Sequence, residues 1–203
     1  MILIRVLASM AAIAALLVAM SARAEPLSTE DALKDRILGD PNAPVEIIEY
    51  ASLTCPHCQK FHLETLPEIK KKYIDTGKVK LVYRDFPFEQ VGLMAAVMAR
   101  CAPPIRYFQF LEVLFQNQEQ WSRSPNPGAA LVRIGKLGGL SEDDFQACMN
   151  NKQLVDGLLQ VRLDANKRFD VTSTPTFVIN GDKRVVGFQA FAVFDELLEK
   201  LTK

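Results

Sequence analysis

The segment Cys55-Pro56-His57-Cys58 constrains this 203-residue chain more than any other feature, because of what flanks it. Ahead of it runs Val45-Glu46-Ile47-Ile48-Glu49-Tyr50, a β-prone stretch short enough to be a buried strand. Behind it, from Pro56 to about Thr76, the pattern turns helical: Cys58, His62, Leu66, Ile69 and Tyr73 share one face, and Gly77 is a natural stop. Pro67 is expected to kink that helix. Val79 to Phe86 reads as a second strand, and strand, helix and strand with a helix of this length imply a parallel, right-handed unit.

The rest of the chain hangs on that unit. Residues 90–169 are mostly helical in period, interrupted at Pro103-Pro104, at Ser124-Pro125-Asn126-Pro127-Gly128 and at Gly138-Gly139, with a last helix from about Lys152 to Phe169. Tyr107, Phe108, Phe110 and Phe115 recur at helical spacing and read as core in preference to a substrate groove. Thr176-Phe177-Val178-Ile179 and Arg184-Val185-Val186-Gly187 flank Asn180-Gly181-Asp182, a strong hairpin signal. A closing amphipathic helix carries Phe191, Phe194, Leu197, Leu198 and Leu201. The expectation is one α/β domain with an inserted all-helical subdomain.

A two-residue spacing at a helix start lets two cysteines close a small ring while treating them unequally. Cys55 sits at the helix end, where unpaired N–H groups and the macrodipole favour a thiolate; Cys58, nearly one turn on, falls on the apolar face. Cys55 is therefore expected to be the exposed nucleophile and Cys58 the buried resolving thiol. Pro56 fixes the first helical turn, and His57 is placed to donate a hydrogen bond or positive charge toward the Cys55 sulfur. A zinc site would need two further ligands, and His57 and His62 are the only histidines. His62, one turn after Cys58, reads either as a packed core histidine or as a soft-metal ligand beside the cysteines. Cys101 and Cys148 stand far apart, which suggests one chemical pair and one structural pair.

Taken with the helical insertion, the runs Glu49-Tyr50-Ala51-Ser52-Leu53-Thr54-Cys55-Pro56-His57-Cys58 and Ser173-Thr174-Pro175-Thr176-Phe177 resemble the bacterial DsbA-like disulfide oxidoreductases. The resemblance implies a thioredoxin-like fold whose first half spans residues 45–89 and whose second half spans 170–203, around the insertion at 90–169. It implies that Thr174-Pro175 is a cis-proline loop beside the dithiol, offering backbone hydrogen bonds to a substrate. It makes Glu49 a buried acid that relays a proton to or from Cys58; read from the residues alone, Glu49 is equally a solvated strand-end glutamate. It also pairs Cys101 with Cys148 in a second, non-catalytic disulfide, where the alternative is two free thiols. No cofactor beyond the redox-active Cys55–Cys58 pair and no resident metal are implied.

Residues 1–24 read as a signal peptide: Arg5, an apolar run from Val6 to Met20 that is short for a bilayer crossing of roughly 20 residues, and small residues before Ala24, where cleavage is expected. Residues 25–44, polar and broken by Pro41 and Pro44, read as a tail and lead-in. Removing Arg5 and Arg23 takes the formal net charge from zero to about −2, which suggests neither a nucleic-acid nor an anionic-membrane partner. An even number of cysteines in an exported chain fits an oxidising compartment, the periplasm.

Three functions compete at this level. One is a monomeric oxidase that gives its disulfide to reduced, newly exported proteins and is reoxidised by a quinone-linked membrane partner of the DsbB type. Another is an isomerase or reductase kept reduced, and the third is a copper-handling protein using Cys55, Cys58 and His62. Only about twenty residues separate the expected cleavage site from the first strand, too few for the dimerisation domain of related isomerases; this favours the oxidase.

Overall fold

A computed structural model describes residues 27–203. The expected signal peptide and its cleavage site lie outside the described residues. The sheet has five strands in the order β1-β3-β2-β4-β5. Strand β2 (Val45–Ala51) runs parallel to β3 (Val79–Asp85), as a strand-helix-strand unit demands, and antiparallel to β4 (Thr176–Ile179). Strand β5 (Lys183–Val186) pairs with β4 through a turn in which Asn180 and Gly181 both have positive φ, the conformation an Asn-Gly hairpin favours.

The lead-in is more than a tail. It holds α1 (Thr29–Leu33), capped by Ser28, and a three-residue strand β1 (Arg36–Leu38) that extends the sheet antiparallel to β3. Arg36 is buried there. Its guanidinium donates to the carbonyls of Asp31 and Ala32 at 3.0 and 3.4 Å, so a charged residue occupies an inward strand position that composition alone marks as surface.

Helix α2, residues 56–74, differs from the helix with a single kink at Pro67 that is expected. It begins as α-helix (Pro56–Lys60), opens into a π turn (Phe61–Thr65), returns to α (Leu66–Ile69) and opens again (Lys70–Ile74). The first π turn lies just ahead of Pro67, which has no N–H to give; the N–H of Leu66 reaches back to the Phe61 carbonyl. The expected kink thus takes the form of a widened turn. The N–H of Asp75 closes the second on the Lys70 carbonyl at 2.8 Å, and Gly77, at φ +72°, ends the helix.

Between β3 and β4 stand α3 (Gln90–Cys101), α4 (Tyr107–Gln116), α5 (Gln118–Ser122), α6 (Pro127–Leu137), α7 (Glu142–Met149) and α8 (Lys152–Phe169). Most start where a side chain caps the first turn: Glu89, Asn126, Asn151, and Ser141 in a capping box with Asp144. Cys101 at the end of α3 is bonded to Cys148 in α7, with Cα atoms 6.4 Å apart. Closing a loop of this length stabilises the fold by about 4 kcal/mol on the chain-entropy account.

Both faces of the central strands are covered, so β2, β3 and β4 are mostly buried along their length, while the edge strand β5 stays largely exposed. On one face Ile47, Leu81, Phe177 and Ile179 pack against Phe61, Ile69 and Tyr73 of α2 and against Phe194 and Leu198 of α9 (Phe191–Leu201). On the other, Ile48, Tyr50, Val82 and Val178 pack against Ala165 and Val171. A third cluster around Trp121, Leu114, Phe115 and Leu131 fills the insertion and reaches Cys58. Tyr107, Phe110 and Phe115 are buried in it, and Phe108 packs at its margin.

Candidate active site

Cys55 occupies the cap position of α2, with Pro56 as the first helical residue. Its backbone is extended (φ −79°, ψ 121°), which leaves its sulfur beside the N–H groups that the first turn cannot pair internally. The thiol is half-buried, and as a thiol it donates to the Thr174 carbonyl at 3.4 Å. The Thr174–Pro175 peptide bond is cis. The start of α2 and the loop before β4 thereby meet at one sulfur.

The two cysteines are free thiols of opposite character. A hydrogen bond from the Cys58 thiol, helped by the Thr174 side chain and the N–H groups of Cys58 and His57, lowers the Cys55 pKa to about 5 against the cost of partial burial. Cys58 is fully buried, and that burial, followed by the nearby Cys55 and Glu49, holds its pKa well above the thiol range. His57 is exposed; its contribution to Cys55 is its backbone N–H. Alkylation of the reduced protein is therefore expected to label Cys55 alone, with a rate that rises through about pH 5; peptide mapping that finds Cys58 labelled equally would refute the assignment.

Beneath the dithiol, Glu49 is wholly buried, which removes the strand-end reading. It shares the sheet face of Val45 and Ile47 and stands beside Tyr83 in the parallel register. His62 Nε2 lies 3.1 and 3.0 Å from its two carboxylate oxygens, and the imidazole stacks on Phe115 with centroids 4.3 Å apart. His62 is thus committed to a carboxylate instead of turning to the two cysteines. Among the described residues no group of three or more His, Cys, Asp and Glu assembles to hold a metal.

Two glutamines were not singled out from the sequence. Gln118, buried at the start of α5, donates to the carbonyls of Leu53 and Cys55 at 2.8 and 3.0 Å, and Gln59 donates to the Phe115 carbonyl at 2.6 Å. They tie the insertion to the catalytic turn. Glutamine carries no chemical signature in a sequence, and only the fold reveals these contacts.

Residues 31–200 match the family model described as thioredoxin. The crystal structure of Wolbachia pipientis alpha-DsbA1 superposes with a TM-score of 0.77 at 35% identity, covering 83% of this chain and 91% of that one. The chain belongs to the DsbA-like thioredoxin family. Further relatives agree: a Rickettsia typhi protein named as a protein-disulfide oxidoreductase is 37% identical over 148 residues, 72% of this chain and 55% of its own length. Disulfide bond formation protein D of Bacillus subtilis is 28% identical over 177 residues, 82% of this chain and 75% of that protein. This chain spans about half the length of the Rickettsia relatives it matches.

Proposed function

We propose that this chain is an exported, monomeric thiol–disulfide oxidoreductase of the periplasm that oxidises cysteine pairs in newly exported proteins through the Cys55–Cys58 disulfide. A quinone-linked membrane protein of the DsbB type reoxidises it. The reaction needs no cofactor beyond that disulfide. The observation that carries this reading is the inequality of the two thiols: the Cys58 thiol first, then the Thr174 side chain and the N–H groups of the helix start, stabilise the Cys55 thiolate, an interaction open only to the reduced form. A disulfide whose reduced state is favoured passes its oxidising equivalents to other thiols.

The sign follows from linkage. The Cys55 pKa is about 5 in the folded, reduced protein and near 9.0 when unperturbed. Its stabilisation is complete above the unperturbed value and is lost as pH falls through about 5. At pH 7 it amounts to about 1–2 kcal/mol after allowance for the solvent that screens a half-buried sulfur.

Denaturant unfolding of both redox forms, with Cys101–Cys148 kept intact, is expected to show the reduced form more stable at pH 7 and the gap closing toward pH 5. In parallel, the protein is expected to oxidise a reduced test protein efficiently and to rescue a scrambled one poorly. An oxidised form that is clearly more stable, together with efficient unscrambling, would move the chain to the isomerase or reductase class.

A further inference from the structure

The Glu49 carboxylate has no exposure at all, and the His62 side chain, at 6%, is the only member of the pair that meets solvent. His62 is also the only side chain among the described residues seen hydrogen-bonded to Glu49. The surroundings leave few other routes for a proton. On α2 the pair faces Cys58, and on β3 it faces Tyr83, whose ring centroid is 5.7 Å from that of His62 and whose buried hydroxyl has no hydrogen-bond partner. Beyond Tyr83, Tyr107 Oη meets Asp85 at 3.4 Å, Asp85 is held by Arg100 at 2.7 Å, and Arg36 is spent on backbone carbonyls. On the insertion side Phe115 closes over the imidazole and carries no proton.

Cys58 raises a specific demand in this setting. When a thiolate attacks Cys55 of the oxidised protein, the Cys55–Cys58 bond breaks, a new S–S bond forms at Cys55, and Cys58 leaves with the electron pair. A bare thiolate at a fully buried site is costly, so a proton must arrive as the bond breaks. We propose that His62 is the positioning residue that holds the Glu49 carboxylate in place and passes protons between it and solvent, so that the pair, loaded with one proton, delivers it to the departing Cys58 sulfur.

The balance closes. The attacking dithiol loses two electrons and two protons, and the protein disulfide gains the electrons. One proton ends on Cys58 and the other in solvent, because Cys55 leaves the second step as a thiolate. The inference deepens the oxidoreductase reading and rests on it for its physiological meaning.

The test uses the full chain and dithiothreitol as the attacking dithiol, following reduction of the Cys55–Cys58 disulfide from pH 4 to 9 with rates normalised to dithiothreitol thiolate. His62→Gln keeps an amide donor for Glu49 and cannot relay a proton. It is expected to slow reduction about ten-fold below neutral pH and to flatten the pH profile. Glu49→Gln should do the same, and the double variant should fall no further, since the two act as one unit. An unchanged profile in His62→Gln, or two losses that multiply, would overturn the proposal. Should His62→Gln fold poorly, the wild-type protein in deuterium oxide decides: a slower reduction below neutral pH is expected, and equal rates would end the idea. A wild-type chain that reacts with dithiothreitol in this way but leaves reduced exported proteins untouched would sink the proposed function while leaving the relay intact.

Discussion

Cys55→Ser abolishes turnover, and Cys58→Ser instead accumulates a covalent adduct with its substrate: this is the largest effect expected on activity. The asymmetry follows from where the two sulfurs sit. Cys55 is at the helix cap, half-exposed, with a pKa of about 5, so it is both the atom a substrate thiolate reaches and a good leaving group. Cys58 is fully buried, so it can reach a mixed disulfide at Cys55 only from within the protein. Without it, an adduct at Cys55 still forms by exchange with a substrate disulfide but loses its internal route of release. Non-reducing electrophoresis after mixing each variant with a disulfide-bonded protein substrate reads the adduct, and oxidation of a reduced one reads the turnover. Adducts that form through Cys58 in Cys55→Ser would reverse the roles.

The largest effect expected on stability lies away from the dithiol. Arg100, near the end of α3, is 3% exposed and donates to Asp85 at 2.7 Å, to the Lys34 and Ala32 carbonyls at 2.7 and 3.2 Å, and lies over the Tyr107 ring at 5.1 Å. One side chain thereby joins the lead-in, the end of β3 and the insertion. Arg100→Met leaves the Asp85 carboxylate buried without its charge partner, and breaking such a pair costs about 3–5 kcal/mol. Replacing both members by apolar residues removes the orphaned charge. Arg100→Met with Asp85→Leu is therefore expected to unfold at higher urea than Arg100→Met alone. A double variant less stable than the single one would show that the carbonyl contacts, and not the charge pair, hold this junction.

Much of this architecture is legible in the sequence wherever a local signal acts alone. Asn180-Gly181 announces its hairpin because few other residues accept two consecutive positive φ values, and Lys152–Phe169 is bounded by an Asn cap and a left-handed Asp170. The unequal cysteines follow from spacing and a helix start. What escaped is what depends on neighbours from elsewhere in the chain. Strand β1 is three residues long with a buried arginine, so no alternation marks it. Gln118 reads as surface until its two carbonyl partners are known.

Glu49 and His62 are intermediate cases. Both sheet faces are buried, so strand alternation says only that Glu49 points with Val45 and Ile47, and those residues' burial is what turns it inward. The helical spacing places His62 on the face of Cys58, yet that face carries both core and site. Their partnership shows only when α2 is laid over β2.

The two π turns of α2 have a meaning in residue count as well as in shape. A π turn holds one residue more than the α turn it replaces, so each stores a single-residue insertion inside a continuous helix. Deleting one residue from 61–65 would let the chain relax to α geometry with the two halves of the helix still in phase, whereas straightening the turn with all its residues kept would rotate one half by about 100° relative to the other. Straightened in that way, the helix would carry Phe61 off the face it shares with Ile69 and Tyr73. A one-residue gap at either π turn is thus the deletion this helix can absorb with its cysteines kept in place, while the same gap in one of its α segments would turn the dithiol away from its neighbours.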